Sequence, residues 1–261
     1  MTGPPASGAR PDAGPLIREI GLDAPWEWLA SGWRDLLTAP RISLAYGAVF
    51  VLASAFLTVG LWKLDMIYLL PPLGGGFLLL APTLCFGLYE TSRKLGEGRR
   101  PSFADIAGAL SRARGQLSLM TGMLVVLFYL WLHMAVLIFL LFHGMAAPHP
   151  ANFIEEVFFH PRSVAFLFAG TGAGLVIAGI VFAVSAVSIP MLLDRDCGVV
   201  TAVQASVNAV TRNWLPMALW AFLIVSAVGL GFATLFAGLI VTVPLIGHAT
   251  WHAYKGVIDW R

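Results

Sequence analysis

The feature that most constrains this chain is a series of long apolar stretches without a single charged side chain. No Asp, Glu, Lys or Arg occurs within residues 42–62, 66–89, 115–154, 163–193 or 213–254. A helix that crosses the hydrocarbon layer needs about 20 apolar residues, because each residue advances about 1.5 Å and the layer is about 30 Å thick. The first four stretches hold one crossing each, and the fifth holds two with a turn near Gly229–Gly231. The sequence therefore predicts an all-α membrane protein with six transmembrane helices.

The positive charges lie almost entirely on one side of this predicted topology. Fourteen of the sixteen Lys and Arg residues fall before the first span, in the second and fourth connections, or after the sixth span. The other side has only Lys63 and Arg162. Because positively charged connections stay in the cytoplasm, this bias predicts cytoplasmic N- and C-termini and an even number of spans.

The pattern along the chain predicts a disordered tail over 1–23 and a six-helix membrane domain over 24–261. The tail is rich in Pro, Gly and Ala, which disfavours a packed structure. Within the domain we predict three repeats at about 24–94, 101–194 and 196–256. Each repeat consists of an amphipathic helix at the membrane surface, an outgoing span and a returning span that contains Pro82, Pro190 or Pro244.

Two groups of residues are candidates for contact with another surface. Trp26 and Trp33 lie on one face of the first amphipathic helix, at a spacing suited to the headgroup layer. Gly170 and Gly174 form a small-xxx-small step that lets two helices approach closely. This step fits internal packing and a contact with another subunit equally well.

The histidines are the main candidates for chemistry. His248 and His252 lie one turn apart on one face of the sixth span, a geometry that can bind a metal ion or face a haem, with Cys85 as a third metal ligand. The structural alternative, hydrogen bonding across helices, is favoured because the motif has no fixed third partner. The same alternative is favoured for His133 in the third span. Residues on the outer side are also weak metal candidates, with a solvated loop as the favoured interpretation: His143, His149, His160, Glu155 and Glu156.

Several absences argue against an enzyme. No charged residue falls near the middle of a predicted span, whereas ion pumps normally need one there. The sequence has no Walker loop, no nucleophile elbow and no HExxH motif. We expect no catalytic residues, and no cofactor beyond the haem or metal alternative.

Three stretches carry a resemblance to a known family: 188–196, 199–214 and 244–254, the last containing Gly-His-Ala-Thr-Trp-His-Ala-Tyr. They resemble a bacterial family of integral membrane proteins known as domain of unknown function 2189. Some of its members carry a cytochrome c oxidase label. The resemblance implies the bacterial inner membrane. It does not imply an oxidase catalytic subunit, because the predicted spans contain too few histidines to hold its haem and copper groups.

These observations favour a non-catalytic accessory or assembly subunit of a larger inner-membrane complex, respiratory or otherwise energy-transducing. A transporter or channel for a small neutral solute is the second hypothesis, and a haem- or metal-binding membrane protein is the third. The expected partners are the lipid bilayer and other membrane-protein subunits. The net charge of +2 gives no reason to expect nucleic acid.

Overall fold

The computed structural model describes residues 14–144, 155, 159 and 163–260. This part of the chain is mostly helical, with one short strand near each end. The elements in chain order are β1 (Leu16–Ile17), α1 (Ala24–Thr38), α2 (Pro40–Lys63), a 3-10 helix (Ile67–Leu69), α3 (Leu70–Leu84), α4 (Phe86–Gly96), α5 (Phe103–His143), α6 (Ser163–Ser185), α7 (Ser188–Asp194), α8 (Val199–Arg212), α9 (Trp214–Ala233), α10 (Leu239–Val257) and β2 (Ile258–Asp259).

Within the described residues, five helical segments are long and apolar enough to cross a membrane. They are Pro40–Lys63, Ile67–Gly96, Phe103–His143, Ser163–Asp194 and Trp214–Ala233. These segments contain the first five predicted spans and confirm a multi-span α-helical architecture. The predicted sixth span forms helix α10 but is not among the five.

Helix α10 differs from the five apolar segments because protein surrounds it. It packs against α1, α2, α4 and α9. Most of its residues are buried, including the polar His248 and Thr250. A helix covered by other helices does not need an apolar surface on every side, since its polar groups find partners within the protein. Its central position explains its lower hydropathy.

Glycines allow neighbouring backbones to approach α10 closely. A Cβ at Gly32 of α1 would lie 2.6 Å from the backbone nitrogen of Ala249, and one at Gly47 of α2 would overlap the backbone of Ile240. Atoms cannot occupy such separations. Glycine is therefore required on both helices for α10 to sit between them.

Two of the three returning segments are interrupted near their prolines, and the third is continuous. In the second returning segment, Pro190 has no backbone N–H to donate to the carbonyl oxygen of Ala186. The helix breaks there, between the end of α6 and the start of α7. The backbone nitrogen of Val187, freed by this break, donates to Ser206 Oγ at 3.3 Å. In the first, the interruption falls at Cys85, after Pro82, whereas Pro244 lies inside a continuous α10.

Two predicted boundaries need correction. The second surface helix is not separate from the third span, because α5 runs unbroken for 41 residues. The disordered tail does not extend to residue 23, because β1 pairs antiparallel with β2, with Leu16 opposite Asp259. Arg18 also forms an ion pair with Asp259 at 3.1 Å. The rest of the predicted tail, residues 1–13, lies outside the described residues.

The close contact at Gly47 makes a testable prediction. Gly47→Ala forces α2 away from α10, and overpacking of this kind costs about 1–3 kcal/mol of the free energy of unfolding. Gly60→Ala is the matched control, because the same helix has open space at Gly60, so the substitution gains helix propensity of up to about 1 kcal/mol. Thermal unfolding in mild detergent measures the difference. Equal stability of the two variants would contradict the packing.

Candidate functional site

The buried side chain of His248 is the centre of the polar cluster that the fold builds. Its Nε2 lies 2.9 Å from Ser43 Oγ, and its Nδ1 lies 2.7 Å from Ser92 Oγ. Ser43 belongs to α2 and Ser92 to α4, so one imidazole ring connects three helices. The ring is fully buried. Both of its nitrogens are engaged, which satisfies them in a region where an unpaired polar group is costly.

His252 extends this cluster to α1. Its Nε2 lies 2.8 Å from Asp35 Oδ2, and both side chains are mostly buried. Burial raises the pKa of Asp35, but hydrogen bonds with His252 and Ser92 and the nearby histidine charges lower it more. The pKa of Asp35 therefore lies below its ordinary value of 3.8. The cluster of Asp35, Ser43, Ser92, His248 and His252, which we call the histidine clamp, holds α1, α2, α4 and α10 together.

A second group of charged side chains ties α4 and α5 together at the same end of the bundle. Glu90 is almost fully buried and accepts two hydrogen bonds from Arg93 at 2.7 Å each. Arg112 of α5 lies 3.5 Å from the same carboxylate. The sequence places Glu90 and Arg93 at the end of a span, but it gave no signal that Glu90 is buried.

Asp194 joins α7 to α10 in a similar way. It accepts a hydrogen bond from Tyr254 at 2.8 Å and another from Lys255 at 3.3 Å. The two contacts hold the end of the fourth predicted span against the end of α10. Like the contact of Arg112 with Glu90, these contacts join residues far apart in the sequence and have no local signal.

The structure does not assemble the proposed ligand set. His248 binds two serines and His252 binds Asp35, so the two rings are not directed at a common point. Cys85 is buried at the junction of α3 and α4. Among the residues that the structure describes, no three His, Cys, Asp or Glu side chains form a group that could hold a metal ion. A metal or haem at His248 would have to replace one of its serine contacts.

Two other histidine predictions have different outcomes. His133 lies on an exposed face of α5, where its Nδ1 is 2.9 Å from the carbonyl oxygen of Tyr129 on the same helix. It does not reach a neighbouring helix. His143 stacks on Phe139 and packs edge-on against Phe166. The other histidines of the outer side, His149 and His160, lie outside the described residues, as does Glu156.

The remaining candidates lie on surfaces. Trp26 and Trp33 are 56% and 44% exposed on α1, while Trp28 between them is buried. Gly170 and Gly174 line an apolar cavity of about 540 Å³ between α3, α5 and α6. Gly170 borders an open space, whereas Gly174 lies against Trp131 of α5, where a Cβ would come within 3.1 Å of the indole ring.

Together these features define a multi-pass α-helical membrane protein whose helices are joined by polar contacts at one end. Residues 69–194 match a family described as "Predicted integral membrane protein (DUF2189)". The match runs from the end of the 3-10 helix to the end of α7 and confirms the resemblance to this family over that segment. The stretches 199–214 and 244–254 lie beyond the match. No curated protein and no solved structure matches the chain.

The contact of Asp35 with His252 in the histidine clamp predicts a pH dependence. The pKa of Asp35 in the folded protein is lowered from its ordinary value of 3.8. The ionised carboxylate therefore stabilises the fold fully when the pH is above about 3.8. This stabilisation is lost as the pH falls through the folded-state pKa. Asp35→Asn should lower the free energy of unfolding by about 1–3 kcal/mol at neutral pH. The substitution should also remove part of the decrease in the free energy of unfolding that occurs as the pH falls.

Thermal unfolding across the acid range tests this prediction. Asp23→Asn is the control, because Asp23 lies exposed at the start of the same helix. The assignment would be wrong if Asp35→Asn and Asp23→Asn had the same stability and the same pH profile.

Proposed function

We propose that this protein is a non-catalytic accessory or assembly subunit that binds a transmembrane helix of a larger complex in the bacterial inner membrane. The observation that carries this proposal is a pair of polar side chains, Tyr129 and His133, on the exposed face of a helix that crosses the membrane. Lipid chains offer no hydrogen-bond partner. Ionisable residues within spans almost always face protein or a water-filled cavity.

The depth of His133 makes exposure to lipid unfavourable. It lies ten residues before the end of α5 at His143 and 18 residues after Gly115. At about 1.5 Å per residue, these separations are roughly 15 and 27 Å. The side chain is therefore well inside the apolar part of the helix. Its Nδ1 is directed to the Tyr129 carbonyl, which leaves Nε2 for a partner.

The residues around this pair form a regular strip suited to a second helix. They follow alternating spacings of four and three, and all are exposed: Gly115, Leu119, Gly122, Val126, Tyr129, His133, Val136 and Leu140. This seven-residue periodicity is the one by which helices pair in left-handed coiled coils. We call this strip the α5 seam.

Glycines at one end of the α5 seam favour close approach. A Cβ at Gly115 or Gly122 would meet nothing within 4 Å, so the surface above both residues is open. Small residues at helix contacts in membranes bring backbones together and increase van der Waals contact. A partner helix could pack tightly over Gly122 and hydrogen-bond to His133 at the same time.

The same observations weaken the alternatives. A solute pathway lined by His133 would require that side chain to face the interior of the bundle, whereas it lies on the outer face of α5. A haem or metal centre at His248 and His252 would compete with Ser43, Ser92 and Asp35 for the imidazole nitrogens. The transporter and cofactor hypotheses therefore have less support than the helix-binding one.

The proposal includes six crossings with both ends in the cytoplasm. The pairing of β1 with β2 brings the two ends of the described chain together, which supports an even number of crossings. Helix α10 supplies the sixth, since its 19 residues extend about 28 Å. The excess of Lys and Arg on that side supports the cytoplasm. The order of surface helix, outgoing span and returning span recurs in the first and third units, and in the second unit the surface helix is continuous with the outgoing span in α5. This order supports the proposed repeats.

Six crossings place the loop between α9 and α10 outside the cytoplasm. In a variant with Cys85 and Cys197 replaced by serine, Leu235→Cys should react with a membrane-impermeant thiol reagent in intact cells, because Leu235 is 86% exposed. Gly98→Cys should react only after the membrane is opened. Protection of Leu235→Cys in intact cells would rule out the six-crossing topology.

Helix binding can be tested with a photoreactive amino acid at position 133 in living cells. We expect a cross-link to a transmembrane peptide of another protein, stronger than any from position 125, which is exposed beside the α5 seam rather than in it. Gly122→Leu should abolish the cross-link by blocking close approach. Gly179→Leu on α6, also in open space, should leave it intact.

The cross-linking outcomes separate the hypotheses. A cross-link only to a second copy of the chain would support a homodimer and reject the accessory role. Labelling of lipid alone, equal from positions 133 and 125, would reject the α5 seam as a binding surface.

A further inference from the structure

We infer that the cavity between α3, α5 and α6 binds one acyl chain of a membrane phospholipid. The inference does not rest on the proposed partner helix, because Trp131, Ala135 and Ile138, which line the cavity, lie on the side of α5 away from His133. Val136 and Leu140, at the end of the α5 seam, border the cavity as well. The cavity is formed by residues 68–79, 131–144 and 166–178, together with Val225 of α9. These segments lie at the ends of the three helices remote from β1 and β2. The lipid would come from the leaflet opposite the chain termini.

The size and lining of the cavity suit an apolar occupant. Its volume is about 540 Å³, within the range of about 300–1,000 Å³ that is usual for ligand sites. Aromatic rings from Trp131, Phe139 and Phe166 form part of the wall. Small residues, including Gly75 and Gly170, leave the space between these rings open.

The indole nitrogen in the cavity wall is already satisfied. Trp131 Nε1 donates a hydrogen bond to the carbonyl oxygen of Pro72 at 2.8 Å. A water molecule held in a protein needs roughly two to four polar partners. The wall is mostly aliphatic and aromatic, and Tyr68 and Thr171 are its other side chains with a polar group, so water finds few partners in this space.

The position of the cavity identifies the occupant. Its three walls belong to segments that cross the membrane, and it opens at the side of the bundle rather than being enclosed. The surrounding medium there is lipid hydrocarbon. An empty apolar space forfeits the dispersion contacts of its lining. A flexible acyl chain recovers these contacts without burying a polar group.

Two glycines on α6 keep this space open, and they do so differently. A Cβ at Gly174 would lie 3.1 Å from the ring of Trp131, so Gly174 allows the indole to lie against α6. A Cβ at Gly170 would meet nothing within 4 Å. A larger side chain at position 170 therefore fills the cavity without displacing its wall.

The test uses the full chain in lipid nanodiscs that contain a phospholipid with a diazirine in its acyl chain. After illumination, peptide mass spectrometry locates the labelled residues. We expect labelling of the cavity lining to exceed that of lipid-facing residues elsewhere, such as Phe56 on α2, which is 83% exposed.

Gly170→Leu should reduce labelling of the cavity several-fold and leave labelling at Phe56 unchanged. Gly179→Leu on the same helix is the matched control. It also has open space and gains the same helix propensity, but it does not line the cavity. Its labelling pattern should equal that of the wild type, and unfolding temperatures of both variants would show that they fold.

The inference is overturned if labelling of the cavity equals that of other lipid-facing surfaces, or if Gly170→Leu leaves it unchanged. It is also overturned if a photoreactive residue at position 175 cross-links to protein instead of lipid, since a protein side chain would then occupy the cavity. Loss of the partner cross-link from position 133 would not affect these results, because His133 does not line the cavity.

Discussion

The packing of α10 at the centre of the bundle depends on the hydrogen bonds of His248 to Ser43 and Ser92. In water such bonds would contribute little, because each group could bind water instead. Inside a membrane-embedded bundle the alternative is an unpaired polar group, which costs several times more. The ring therefore holds α2 and α4 at fixed distances from α10. Gly32 and Gly47 then allow α1 and α2 to approach closely enough for these contacts to form.

The histidine clamp also restricts where its protons can be. Ser43 Oγ lies 2.9 Å from both the Ala39 carbonyl oxygen and His248 Nε2, and a hydroxyl has one proton to donate. If Ser43 donates to Ala39, His248 must carry its proton on Nε2 and accept at Nδ1 from Ser92. If Ser92 instead donates its proton to Asp35, it can only accept from His248, so His248 must carry its proton on Nδ1. The Nε2 atom of His248 then accepts a hydrogen bond from Ser43. The protonation of the ring is therefore linked to the contacts of Asp35 on α1, and a change in one requires a change in the other.

The sequence predicted the five apolar segments well because lipid exposure demands unbroken apolar composition, a local property that can be counted. It failed where a residue's environment depends on distant partners. Ser43 and Ser92 are ordinary helix residues until the fold brings them to His248. The same limit applies to His133, which the sequence could place at a depth but not on a face of the bundle. Pro190 shows a third limit. The break between α6 and α7 leaves the backbone N–H of Val187 without its helical partner, and Ser206 of α8 accepts the hydrogen bond instead. The sequence around Pro190 does not indicate this distant partner.

Helix α5 separates two surfaces of opposite character. Successive residues on an α-helix are rotated by about 100°, so Trp131 and His133 face nearly opposite directions although only one residue separates them. Trp131 places its one polar atom against Pro72 and presents an apolar ring to the cavity. His133 leaves one nitrogen exposed on the α5 seam. The first surface favours hydrocarbon, because its lining is mostly apolar. The second favours protein, because a neighbouring helix can supply a hydrogen-bond partner that lipid chains lack. The chemistry of one helix thus supports the two proposals, an acyl chain on one side and a partner helix on the other.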